Sequence, residues 1–169
     1  HGFCLWPSSV RNRHEKNWMT ERDVVGELAR AVRALGMRFG VYYSGGIDWT
    51  FNREPLRTLG DFIGSTPTGD YPAYATAQVR ELIERYEPSV LWNDISWPTG
   101  FDELLNLFAD YYNAVPDGVV NDRWVHAGLF SKVMHFKAAR RIFDYVAQRH
   151  IAKNPKAVEG VIPQPIPHS

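Results

Sequence analysis

Val90-Leu91-Trp92-Asn93-Asp94 is an apolar run of strand type that closes on a carboxylate, and Ile95-Ser96-Trp97-Pro98 then breaks it. In parallel α/β proteins the catalytic side chains sit at the C-terminal ends of strands, because the loops there open to solvent. An Asp at such an end, flanked by Trp92 and Trp97, sets a carboxylate beside flat apolar faces. Sugar cleavage uses that combination. The carboxylate meets a cationic transition state, and the indoles cover the apolar faces of a sugar ring.

The flanking segments repeat one unit. Before this strand, residues 71–86 carry Ala75, Val79, Leu82, Ile83 and Tyr86 at helical spacing, and Pro88 ends the helix. After it, residues 101–114 form a helix with Leu104, Leu105, Phe108 and Tyr112 expected to face inward. Residues 119–124 read as a further strand ending in polar groups. Upstream, residues 37–44 are a strand stopped by Gly45-Gly46. Val24, Val25, Leu28, Ala31, Val32 and Leu35 form a helix, opened by Thr20 and Asp23 and closed by Gly36. Residues 3–6 read as a short buried strand, 10–19 as polar loop, and 47–70 as a long loop of the kind that carries function.

Strand and helix alternate, which argues for parallel strands with right-handed crossovers. A (β/α)8 barrel and an open doubly wound sheet both fit. Each strand ends in polar or aromatic groups (Trp6, Tyr43-Ser44, Asn93-Asp94, Asp122-Arg123), so all feed one rim, which favours the barrel. A barrel typically needs about 250 residues, and this chain has 169 with about four strands visible. The expected fold class is α/β, a partial (β/α)8 TIM barrel. Residues 1–169 form one partial barrel domain, residues 131–156 are a basic amphipathic helical insertion, and residues 161–169 are a Pro-rich extended tail. The opening Gly2-Phe3-Cys4-Leu5-Trp6 reads as the inside of a domain.

The formal net charge is zero, which implies no nucleic-acid partner. No run reaches the ~18 apolar residues of a membrane span. Aromatics make up 14 %, which suits either a well-filled core or a carbohydrate site. One cysteine, Cys4, excludes an intramolecular disulfide and sits in a strand as a core residue. In the insertion, Lys132, Lys137, Arg140, Arg141, Arg149, Lys153 and Lys156 face only Asp144. That pattern fits a surface helix packed by its apolar side, or a surface for a membrane or an acidic partner.

Asp94 is the leading catalytic candidate. It reads either as a nucleophile or stabiliser, or as a helix cap or strand-end ion pair. Arg123, at the next strand end, could keep it ionised. Asp122 reads as structural. Asp48, after the Gly45-Gly46 break, could bind a sugar hydroxyl or fix a turn. Tyr42 and Tyr43 point to opposite faces of their strand, so only one can line a pocket. The six histidines show no metal spacing, and neither a phosphate loop nor a G-x-S-x-G elbow is present. No cofactor and no metal are expected. Glycoside hydrolysis ordinarily uses two carboxylates, about 5–5.5 Å apart in retaining enzymes. Glu54 and Glu159 are spare candidates for the second.

Five blocks together resemble the α-L-fucosidases of glycoside hydrolase family 29: residues 2–8 (GFCLWPS), 22–28 (RDVVGEL), 38–44 (RFGVYYS), 91–98 (LWNDISWP) and 120–124 (VNDRW). Residues 125–169 match loosely, as a variable insertion of some bacterial members. The resemblance implies a (β/α)8 catalytic domain that releases terminal α-L-fucose with retention and without metal. Its nucleophile falls on Asp94 and its sugar contacts on Trp92, Tyr42 and Arg123. The wall near the fucose methyl group would include Trp6 and Ile95. The substrate would be a fucosylated oligosaccharide or an aryl fucoside. The family's Lys-His-His-Asp run would precede Gly2, where only His1 stands, and its general acid would follow the last block. The piece is thus expected to be the middle of a catalytic domain. An arc with open strand edges should associate with itself.

Overall fold

In the computed structural model, which describes residues 1–124 and 133–153, three short parallel strands hold the centre. Gly40–Tyr43 (β1) pairs with Val90–Asn93 (β2), and β2 pairs with Val119–Val120 (β3), in the order β1-β2-β3. The register sets Tyr42 opposite Trp92 and Tyr43 opposite Asn93. Val24–Ala34 (α1) precedes β1. Leu59–Ile63 (α2) and Tyr71–Tyr86 (α3) connect β1 to β2, and Phe101–Ala114 (α4) connects β2 to β3. Lys137–Lys153 is α5.

Side chains alternate across each strand. Val41, Tyr43, Leu91 and Asn93 are buried, while Tyr42 and Trp92 are exposed. The buried side forms one core with Ala29 of α1, Val79 and Leu82 of α3 and Leu104 of α4. Helices α1 and α3 pack together, as do α3 and α4. The helices therefore cover one face of a sequentially ordered parallel sheet and leave the other open. A doubly wound sheet covers both faces and reverses its strand order. This is the arrangement of an arc of a (β/α)8 barrel.

Local chemistry accounts for the elements. The Asp23 carboxylate accepts the Gly26 amide at 2.9 Å and caps α1. Gly36, at φ +73°, stops that helix. Pro72 lies in the first turn of α3, and the helix ends on Glu87 before Pro88. The Arg33 guanidinium donates to the carbonyls of Tyr86 and Glu87, tying α1 to that end. The Tyr111 hydroxyl donates to the Pro88 carbonyl at 2.8 Å and anchors α4 beneath β2.

Several expectations change. Residues 3–6 do not join the sheet. Only Cys4 makes a bridge, parallel to Met19, because its amide and carbonyl are taken by Trp18 and Thr20. Among the described residues the sheet thus has three strands rather than four. The long loop contains α2, capped by Thr58. On α4 the buried residues are Leu104, Leu107 and Tyr111, while Leu105 and Tyr112 are exposed. On α1, Val24, Leu28 and Leu35 are exposed. Helix α5 has no buried residue and leaves Ile142 and Val146 in solvent. Phe143 is half-buried, and polar groups also attach the helix. Asp144 accepts the Gly60 amide, Arg140 donates to Asp61 and Lys137 to Glu54. No helix among the described residues is long and apolar enough to cross a membrane. The extended tail expected at 161–169 lies outside the described residues.

Candidate active site

Asp94 follows β2 directly, and its amide donates to the Tyr43 carbonyl at 3.1 Å. Two residues beyond Trp92 in strand alternation, its side chain shares the open face with Trp92 and Tyr42. Oδ2 accepts the Tyr42 hydroxyl at 3.3 Å, and Oδ1 accepts Arg123 Nη1 at 3.3 Å and the Ile95 amide at 2.8 Å. Burial and then the negative charge of Asp94 raise the Tyr42 phenol. Tyr42 therefore stays protonated at neutral pH and acts as a donor. The Trp92 indole, 44 % exposed, stands in register beside Tyr42. Ile95 adopts φ +79°, a region that a β-branched residue rarely enters. Backbone strain of this kind concentrates at functional sites.

A carboxylate thus accepts from a phenol and a guanidinium at the C-terminal edge of a parallel sheet, beside an open indole. A family model described as alpha-L-fucosidase matches residues 1–155. The chain belongs to the α-L-fucosidase family. The match runs beyond residue 124, where the motif blocks end. The tissue alpha-L-fucosidases of Rattus norvegicus and Homo sapiens are 34 % and 33 % identical to it over 129 residues, which is 73 % of this chain and 27 % of each relative. An alpha-L-fucosidase of Branchiostoma floridae is 34 % identical over 90 % of this chain and 35 % of its own length. The crystal structure of Thermotoga maritima alpha-fucosidase in complex with fucose superposes with a TM-score of 0.66 at 47 % identity, covering 73 % of this chain and 30 % of that one. The chain therefore spans about a third or less of its relatives' lengths.

Of the residues singled out in the sequence, the structure brings Asp94, Tyr42, Arg123 and Trp92 together. Ile95 adjoins them, its side chain lying over Gly46. The other three do not meet Asp94, although Trp6 and Asp48 line a cavity together with Tyr42. Trp6 is buried and its indole N–H donates to Glu81 of α3 at 2.8 Å, which commits it to the helix layer. Trp97 has no exposed surface and packs against Tyr43 and Trp124. Asp48 is buried and accepts both the amide and the hydroxyl of Thr50, a turn-fixing arrangement. Glu54 is paired with Lys137 at 2.9 Å, and Glu159 lies outside the described residues. Asp122 is exposed. No group of three potential metal ligands occurs among the described residues.

A cavity of about 410 Å³ lies between residues 1–6 and the free edge of β1, with Phe3, Leu5, Leu28, Tyr42 and Asp48 in its walls. It adjoins the cluster through Tyr42, and Asp94 is not part of its lining. It marks where residues 3–6 fail to pair with β1.

Two buried polar groups escaped the sequence reading. Glu81 gathers Trp6, Ser8 and Ser9, and Asn93 ties three loop segments together. Both stand in apolar contexts, where period alone reads them as exposed or as strand filler. Cys4 is inert: burial pushes its thiol up to about 12, against a smaller opposing effect of the Gln78 hydrogen bond. Iodoacetamide at pH 8 is expected to leave Cys4 unmodified in the folded chain and to label it fully in denaturant, as mass spectrometry would read. Rapid labelling without denaturant would contradict this placement.

Proposed function

We propose that this chain carries the nucleophile of a retaining α-L-fucosidase. The observation that supports this reading is the Asp94 carboxylate, met by Tyr42 and Arg123 beside the open Trp92 face. Asp94 attacks the anomeric carbon of a terminal α-L-fucosyl unit while the bond to the leaving oxygen breaks. The product is a β-fucosyl ester on the enzyme, which water then opens with net retention. Tyr42 and Arg123 donate to the carboxylate and aim it before attack, and both offer donors to the fucose hydroxyls. The proton for the leaving oxygen is not assigned to a described residue. An aryl fucoside with an acidic phenol leaves without that proton, whereas an oligosaccharide should react roughly 10²–10⁴-fold more slowly without general acid help. Turnover of a nitrophenyl fucoside is the direct test.

A second reading follows from the chain's share of its relatives, 27 % in the rat and human proteins. On this reading the piece is catalytically impaired and only binds sugar. Calorimetry with fucose separates the cases: heat without turnover supports binding alone, and no heat removes both.

The open sheet face bears on assembly. Phe3, Leu5, Tyr42, Trp92 and Val119 are exposed on or beside it, and β1 has an unpaired edge. We infer that a second copy meets this chain along its strand edges and leaves the Asp94 rim open, because free strand edges and the apolar surface beside them favour association. Sedimentation velocity is expected to give a dimer or larger species, and a stable compact monomer would contradict it.

A further inference from the structure

We propose that Asn93 and Asn121 form a clamp that positions Asp94 against Arg123; this rests on the reading of Asp94 as the nucleophile. The Asn93 side chain has no exposed surface, yet all its bonds go to backbone of three different segments. Its Oδ1 accepts the Gly45 amide at 3.0 Å, after β1. Its Nδ2 donates to the Ser96 carbonyl at 2.8 Å, after β2, and to the Arg123 carbonyl at 3.0 Å, after β3. Asn121 answers from the neighbouring strand end. Its Oδ1 accepts the Asn93 amide at 3.0 Å and its Nδ2 donates to the Asn93 carbonyl at 2.8 Å. This side chain takes over where backbone pairing stops at Val120.

The need for such a clamp follows from the ion pair. Arg123 and Asp94 meet at 3.3 Å, but the arginine side chain is 60 % exposed. An exposed pair of long side chains does not fix its own geometry. Here both backbones are fixed instead: Asp94 is the next residue after Asn93, and Arg123 is held by its own carbonyl. The same Nδ2 group holds Ser96 and so maintains the unusual turn at Ile95. The chemistry suits a carboxamide alone, since an ionised Asp would offer no donor to the two carbonyls. Gly45 completes the fit. A Cβ there would lie 2.4 Å from Asn93 Oδ1.

The test compares the unaltered chain with Asn93→Asp, Asn93→Ala and Asn121→Ala at a temperature where circular dichroism shows each folded. With nitrophenyl fucoside, kcat is expected to fall about 100-fold with KM little changed, the cost of misplacing a reacting group by about 1 Å. Amide exchange at Gly45 is expected to accelerate in Asn93→Ala. A purely structural role would lower the melting temperature and leave kcat of the folded protein unchanged, which would overturn the clamp. Asn121→Ala, at a less buried position, decides the matter where Asn93 variants do not fold. Where the chain binds but does not turn over, fucose affinity replaces kcat. Asp94→Ala with undiminished turnover would instead remove the nucleophile reading, while Gly45 exchange still reports on the clamp.

Discussion

Asp94→Ala should lower turnover of nitrophenyl fucoside by about 10⁴-fold or more, since removing a nucleophile that acts within a concerted group costs up to about 10⁶-fold. In the proposed mechanism one oxygen of this carboxylate forms the new bond, so no neighbour can take over. Stability should move little, within about 0.5 kcal/mol, because the partners Tyr42 and Arg123 are both solvent-accessible. That split, activity lost and fold kept, distinguishes a reacting group from a structural one. Azide should restore nitrophenol release from the Ala variant by attacking the anomeric carbon from the vacated side, with β-fucosyl azide as product. Undiminished turnover, or rescue that yields the α-azide, would eliminate Asp94 as nucleophile.

The second large effect concerns Glu81, and it is one of stability. Its Oε2 accepts the Trp6 indole at 2.8 Å and the Ser8 hydroxyl. Its Oε1 accepts the Ser9 amide at 2.7 Å and the Ser9 hydroxyl at 2.8 Å. Arg85 lies 3.8 Å away on the same helix. Burial alone would raise this carboxyl. The bonds from Ser8, Ser9 and Trp6 outweigh it and hold the group below the ordinary glutamate range. Glu81→Ala leaves buried donors without an acceptor and should cost about 3–5 kcal/mol in urea unfolding. Glu81→Gln keeps one oxygen and turns its amide toward donors, so a smaller loss is expected. The pH dependence follows from the lowered folded value. Stability from Glu81 is complete above the unfolded glutamate value of about 4.3 and declines as pH falls through the folded one. The unaltered chain should therefore lose stability below about pH 4 more steeply than Glu81→Gln. Parallel acid limbs for the two proteins would show that Glu81 does not have this role.

The two predictions act on opposite faces of the sheet. Asp94, Tyr42 and Trp92 stand on the open face, where exposure permits a ligand. Glu81, Trp6, Trp97 and Asn93 stand on the helix side, where burial makes each hydrogen bond matter. An Asn93-Asp94 dipeptide at a strand end thus divides its labour by alternation. One side chain fastens the loops and the next faces the open side.

Much was legible in the chain itself. Helices 71–86 and 101–114 followed from their apolar spacing and from Pro88, and the strand at 90–93 from its apolar run; Asp23 does open α1, whereas Thr20, read with it as the capping pair, accepts the Arg22 amide instead. The place of Asp94 at a strand end followed in the same way, because such signals reside in neighbouring residues. Other features needed the tertiary structure. On α4 apolar residues fill both flanks, so only docking against α3 chose Leu107 and Tyr111 over Leu105 and Tyr112. Residues 3–6 have strand composition, yet Trp18 and Thr20 take the backbone bonds of Cys4. Trp6, Trp97 and Asp48 are residue types that suit a sugar site, and only packing placed them in the interior. Residue identity sets what a side chain can do, and long-range contacts set which face it occupies. The acid is therefore readable from sequence, while its clamp, built from residues 45, 93, 96, 121 and 123, exists only where the fold brings them together.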